Sequence, residues 1–310
     1  MNYTLEALLA SLLWVSSGEI TESSGSLKQV ALAFRAATAT GEYVNAIVTV
    51  VDVYGDATTY AFSPDNDSST DFLYEHPLPE ITYTAKPLED AFSFFVASLL
   101  NVSLVGEARI VANKLTSSMN TTLDSLLLEP NMTLPIINAF HFSTYDVSLI
   151  RRLLEVTVHQ PERIRISFFS FAERMMKLID NSVLDIPKVR RTSRLLMDGI
   201  QCDAKDEQLL NLSSKTIQLR SLTLTSASIN TILKHWQDGS RELENLRIVT
   251  DDLQRAEVMT GVQKKTISRN VWRVRNRAGV VGTVSISRSP TIMFDPKPTF
   301  EFSINPIFMS

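Results

Sequence analysis

The sequence predicts an α/β chain, an irregular leucine-rich-repeat-like strand-helix solenoid with a β-rich C-terminal end and a short helical N-terminus. Three observations predict it. Two segments can be laid on each other at an offset of 82 residues, so that Phe140 and Phe142 fall on Leu222 and Leu224, Val147 on Ile229, and Ile150 on Ile232; Leu154 falls on Trp236, and Ile164 and Ile166 fall on Leu246 and Ile248. Each copy reads as strand, helix and strand in about 28 residues, a unit length typical of repeats whose short parallel strands line one face. Beyond residue 270 the pattern changes to β-branched runs punctuated by Gly279, Gly282, Pro290 and Pro296, the punctuation of successive strands.

The elements follow in order. Residues 4–15 are apolar on most sides and predict a short buried helix, and residues 27–37 predict a second helix ending at the polar break 38–41. Residues 43–54 are rich in β-branched side chains and Gly55-Asp56 turns them into residues 58–61, which predicts a hairpin. A solvated loop over 63–71 and the prolines Pro77 and Pro79 lead to a helix over 88–99. Residues 103–110 predict a strand, 123–128 a helix, and 183–186 a strand or a turn. Residues 271–275, 280–287, 291–294 and 299–304 predict the closing strands.

A chain of 310 residues and 34.7 kDa has room for one large domain or two ordinary ones. Its 44% hydrophobic and 21% charged residues, with a net charge of -4, exclude a disordered, collagenous or coiled-coil chain and argue against a strongly basic nucleic-acid binder. The charge is uneven. Residues 1–120 carry 5 Lys/Arg against 14 Asp/Glu, whereas residues 121–310 carry 25 against 20. Cys202 is the single cysteine, which excludes a disulfide framework and a Cys-rich zinc site and fits a reducing compartment, so the expected location is cytoplasmic or nuclear. No apolar run approaches the roughly 18 residues needed to span a bilayer. The competing reading is a secreted glycoprotein. Residues 7–15 followed by Ser16-Ser17-Gly18 have the length and small-residue flank of a signal peptide, but Glu6 precedes them and no Lys or Arg occurs before Lys28. Sequons at Asn2, Asn66, Asn101, Asn120, Asn131 and Asn211 matter only on that reading.

No catalytic constellation assembles in the sequence, and the expectation is a chain that is not an enzyme and holds no cofactor or metal. His76, His141, His159 and His235 stand apart without zinc spacing. The stretch from Asp65 to His76 starts like a calcium loop, yet it has Thr70 where the sharp turn needs Gly and His76 where the bidentate Glu belongs. Gly279-Val-Val-Gly282 lacks the third glycine and the following helix of a phosphate loop. Cys202 has no activating signature around it and reads as structural. Two basic clusters remain, residues 188–194, and Lys264-Lys265 with Arg269, Arg273, Arg275 and Arg277 around Trp272. Each is either a solvated edge or a seat for an acidic partner.

The stretch 217–248 resembles the nematode F-box-associated domain, type 2. The residues that carry the resemblance are Ile229, Asn230, Ile232, Leu233, Lys234 and Trp236 on a helix, then Gly239, then Leu243, Glu244, Leu246 and Ile248 on a strand. Residues 273–304 are similar to the family's closing strands, and 101–128 and 136–166 to its preceding repeats, so the resemblance spans about 90–305. It implies a non-catalytic substrate-recruiting adaptor of a Skp-cullin-F-box ubiquitin ligase, in which the repeat domain binds a substrate protein and an F-box docks on the Skp-type adaptor. Residues 1–40 resemble a degenerate or partial F-box through Leu8, Leu9, Leu12, Glu19, Ile20, Glu22 and Ser24, without the leading Leu-Pro and the internal Pro. On this resemblance the expected partner-binding residues are Leu8, Leu12 and Ile20, and residues 41–310 form the repeat region. The alternative is an orphan protein-interaction module without ligase docking. Neither nucleic acid nor membrane is an expected partner.

Overall fold

The computed structural model describes residues 26–36, 43–63, 80–112, 117–127, 133–168, 177–288 and 298–304. The chain divides into two compact units, the first comprising Met1–Val111, Leu115–Asn138 and Val156–His159, the second Ala112–Lys114, Ala139–Glu155 and Gln160–Ser310.

In the first unit, β1 (Ser26–Ala36) lies between β2 (Tyr43–Asp52), antiparallel to it, and β5 (Leu104–Val111), parallel to it. β3 (Ala57–Ser63) continues the hairpin from β2, and β4 (Glu80–Tyr83) joins β3 in parallel. The hairpin turn forms because Asp52 Oδ1 accepts the backbone N–H groups of Tyr54, Gly55 and Asp56 at 2.9, 2.8 and 2.9 Å. Helix α1 (Pro87–Leu100) begins with proline and carries Glu89 and Asp90 in its first turn, where the exposed N–H groups favour negative charge. It buries Phe92, Phe95, Val96 and Leu99, and the Phe94 ring stands 4.6 Å from Tyr60 and 5.8 Å from Phe62 of β3. Helix α2 (Ser117–Leu127) packs against α1 and buries Leu123.

The expected helix over 27–37 is corrected, because these residues form β1. An inner strand is apolar on both faces and lacks a clean alternation, so its period does not separate it from a buried helix. The strand pattern is visible once burial is known: Val30 and Leu32 are buried and Lys28 is exposed. The register against β2 slips between Leu27 and Gln29, and Gly106 of β5 faces that irregularity; a Cβ at Gly106 would lie 2.6 Å from the Lys28 carbonyl oxygen.

The second unit contains β6 (Ile136–Ser143), counted from Ala139, then α3 (Val147–Glu155), β7 (Arg163–Ser167) and β8 (Lys177–Ile179). A 3-10 turn (Asn181–Asp185) and α4 (Pro187–Arg191) lead to β9 (Arg194–Asp198) and β10 (Ile200–Cys202). Next come α5 (Asp206–Asn211), β11 (Thr216–Arg220), α6 (Ser226–Asp238), β12 (Asn245–Val249) and α7 (Arg255–Val258). The last strands are β13 (Lys264–Ser268), β14 (Val271–Arg275), β15 (Val281–Arg288) and β16 (Pro298–Ile304). The sheet runs β13-β14-β15-β16-β12-β11-β9-β7-β6, and β8 and β10 pair separately.

The expected strand-helix solenoid is therefore corrected to a mixed-sheet architecture. From β6 to β12 the neighbouring strands are parallel, but β16, β15, β14 and β13 add to β12 as antiparallel partners, and the first unit is built on antiparallel β1-β2-β3. Nor do the connections repeat: α6 has 13 residues whereas α4 and α5 have 5 and 6. The 82-residue offset carries β7 onto β12 and α3 into α6. It would place the first strand at 218–225, yet β11 ends at Arg220. The matched Leu222 and Leu224 therefore lie in the connection after the strand. Residues 183–186 form the 3-10 turn rather than a strand. The expected helix over 4–15, the loop over 63–71 beyond Ser63 and the strand over 291–294 lie outside the described residues.

The core of this unit lies on one face of the sheet. Ile164 and Ile166, Leu195 and Met197, Ile217 and Leu219, Leu246 and Ile248, and Phe300 and Phe302 alternate into it, against Leu149, Ile150, Leu153 and Leu154 of α3 and Ile229, Ile232, Leu233 and Trp236 of α6. Burying each such aliphatic side chain stabilises the fold by about 1.5–3 kcal/mol before the entropy of ordering it is subtracted.

Candidate functional site

Because strand side chains alternate, the same strands that bury isoleucine and leucine on one face present polar groups on the other. That second face is the candidate site. One cross-strand row runs from β7 to β13. It begins with Arg163 opposite Arg194, passes through Thr216, Asn245, Ser303 and Thr283, and ends with Arg273 opposite Lys265. The neighbouring row holds His141, Arg165, Leu196, Gln218, Arg247, Glu301 and Ser285.

The centre of the face is electrostatically satisfied. Arg165 Nε is 2.9 Å from Asp198 Oδ2, and the amide of Gln218 donates to Asp198 Oδ1. Arg247 Nε is 3.1 Å from Glu301 Oε1, and His141 Nε2 is 2.9 Å from Ser167 Oγ. Some groups lack hydrogen bonds. Arg220 Nε and Arg247 Nε are buried without a hydrogen-bond partner among the described residues, the latter held only at ion-pair distance from Glu301. At the edge, the side chains of Lys265, Arg273 and Arg275 are exposed and have neither hydrogen bond nor ion pair among the described residues. Lys264, Lys265, Arg273 and Arg275, with Gln263, Val274 and Val281, line an open groove of about 370 Å³.

The groove is positioned by α6. Gln237 donates its amide to the carbonyls of Gln263 at 2.7 Å and Arg275 at 3.3 Å and accepts from Gln263 N–H at 3.0 Å, so one helix side chain fixes both strands that carry the cations. Lys264 Nζ donates to the Met259 carbonyl at 2.6 Å. Asn230 donates to the Val258 and Thr260 carbonyls at 2.7 and 2.8 Å and anchors the segment that leads into β13. Trp236, 2% exposed, packs edge-on against Phe302 with centroids 4.7 Å apart. Gly239 closes α6 at φ +84. These helix residues are structural, and the candidate face is the opposite side of the sheet.

Cys202 is fully buried, and desolvation, assisted by the nearby Asp203, Asp180 and Asp185 charges, pushes its thiol up to about 12. It is a packed thiol. Arg241 donates to the Leu210 and Leu212 carbonyls at 3.4 and 2.6 Å at the end of α5, and burial lowers the pKa of its guanidinium. His235 lies exposed on α6. Among the described residues no group of three or more His, Cys, Asp or Glu side chains is placed to hold a metal ion, and no helix is long and apolar enough to cross a membrane. The expected partner-binding residues Leu8, Leu12 and Ile20 lie outside the described residues.

The polar face escaped the sequence reading, although the polar-apolar alternation in Arg163-Ile-Arg-Ile-Ser167 and Asn245-Leu-Arg-Ile-Val249 carries its signal. The basic cluster around Trp272 was legible, with one difference. Trp272 itself is 5% exposed and turns into the core, away from Lys265, Arg273 and Arg275.

The second unit is thus a mixed sheet with one face packed under helices and the other carrying ordered polar rows. Residues 201–248, from β10 through α6 to β12, match the family model described as F-box associated. No curated protein and no solved structure matches the chain.

Proposed function

We propose that the chain is a non-catalytic substrate-recruiting adaptor of a Skp-cullin-F-box ubiquitin ligase, working in the cytoplasm or nucleus. On this reading the second unit takes the substrate protein, and the segment before β1 takes the Skp-type adaptor through Leu8, Leu12 and Ile20. The observation that carries it is the match of residues 201–248 to the F-box-associated family model. The polar sheet face supports it, since flat rows of ordered side chains suit a protein surface better than a small molecule.

Co-elution of the full chain with purified Skp-type adaptor on size exclusion tests the reading. A stable complex is expected, and Leu12→Asp with Ile20→Asp abolishes it; a chain that never associates, or one that associates regardless of both substitutions, ends the ligase role. The informative truncation removes residues 1–25. Cutting at residue 41 also deletes β1, which joins β2 to β5, and would unfold the first unit.

A second reading, an interaction module without ligase docking, is favoured by β1 itself. Residues 26–36 of the F-box-like segment are committed to a sheet, which leaves a docking helix only the residues before them. Absence of adaptor binding with retained substrate capture is the outcome that selects it.

A further inference from the structure

We propose that the groove between β13 and β14 seats an extended acidic protein segment, with Lys265, Arg273 and Arg275 pairing to its Asp or Glu carboxylates. The proposal deepens the reading of the second unit as the substrate-binding part, and it rests on that reading only for the identity of the partner as a substrate.

Three observations converge on the groove. First, Lys265 and Arg273 are direct cross-strand partners, and like charges in that position are destabilising unless an anion sits between them. Second, these cations have no intramolecular partner among the described residues, whereas Arg165 and Arg247 on the same face are each neutralised by a carboxylate. Third, the ribbon is held from behind by Gln237, so the cations are displayed on a fixed backbone and the ordering that an anion imposes is confined to their side chains.

Edge protection offers a competing explanation, because lysines on a free edge strand deter strand-to-strand aggregation. It accounts for Lys264 and Lys265 on β13. It does not account for Arg273 and Arg275, since β14 is paired on both sides, with β13 and with β15.

The occupant follows from shape and charge. Arg273 and Arg275 project on one side of β14 roughly 7 Å apart, the spacing of alternate side chains in an extended peptide. Val281, opposite Arg275, lines the groove and Ile267 is 52% exposed on β13, which provides apolar contact beside the charges. A single-stranded nucleic acid would need exposed aromatic rings for its bases, and the one aromatic of this ribbon, Trp272, is buried on the other side.

Fluorescence anisotropy of the full chain tests the proposal with a labelled peptide of about ten residues alternating Glu with Val, the length of one added strand or groove segment. The controls are its Gln counterpart and a single-stranded RNA of equal charge. The acidic peptide is expected to bind, more weakly as salt rises, and to lose about ten-fold in affinity in Lys265→Glu/Arg273→Glu. Lys86→Glu/Lys205→Glu makes the same net-charge change at exposed positions outside both basic clusters and is expected to leave binding unchanged; thermal unfolding confirms that both variants are folded. The proposal is overturned if the acidic peptide does not bind, if the Gln peptide binds as well, if both double variants lose equally, or if the RNA binds more tightly. Light scattering that shows copies of the chain associating through this groove overturns it too. Adaptor co-elution is read on the same proteins: adaptor binding without peptide binding sinks the groove alone, and the converse sinks the ligase reading alone.

Discussion

Asn230 is the residue at which local and tertiary structure meet. An asparagine in mid-helix is unfavourable by propensity, and here it is 8% exposed, so both amide hydrogens must find acceptors. They find the Val258 and Thr260 carbonyls. Asn230→Leu is expected to leave those two carbonyls without their donor and to cost about 1–3 kcal/mol, read from urea unfolding. Trp236→Ala, which removes a ring packed on Phe302, serves as the larger reference at about 3–5 kcal/mol. The residue pattern on α6 was legible because helical spacing of Ile229, Ile232, Leu233 and Trp236 is the ordinary signal of a core face. The role of Asn230 was not, since its acceptors stand 28 and 30 residues away in sequence.

Elements differ in how much of their structure is legible in the sequence, for reasons that lie in their surroundings. The hairpin, α1 and β14 carry their own signals: an Asp-capped turn, a proline-led helix, and strict alternation in Val271-Trp-Arg-Val-Arg275. β1 carries none, because strands on both sides and α1 above it allow apolar residues throughout. The strand-helix rhythm from β6 to β12 was visible, but nothing local states that the final strand, β16, returns to lie beside β12. Pairings of that kind are nonlocal, and only the register of the folded sheet reveals them. At β1 the close approach to β5 has a measurable consequence. Gly106→Ala puts a methyl 2.6 Å from the Lys28 carbonyl oxygen, so the strands must separate locally. A loss of about 1–3 kcal/mol is expected, with the change in hydrogen exchange centred on β1 and β5.

At the scale of the whole molecule, the family match covers 201–248 whereas the unit that contains it extends over Ala139–Glu155 and Gln160–Ser310. The matched stretch is a sample of a larger core. Phe302, which packs on Trp236, lies beyond it, as do the carbonyls that satisfy Asn230. Residues 201–248 expressed alone are therefore expected to show no cooperative thermal transition by circular dichroism; a sharp transition would mean that the core is more local than the contacts indicate. The candidate face has the same dependence on scale. Its rows draw on strands from β6 to β13, so its charges were legible one by one in the sequence and its shape only in the sheet. A different use follows from the burial of Cys202 beside Ile179 in the small β8-β10 pair. As the chain's sole thiol, it is a built-in clock: the rate at which a membrane-impermeant maleimide reaches it times the transient opening of that corner, with no label introduced and no other sulfhydryl to confuse the signal.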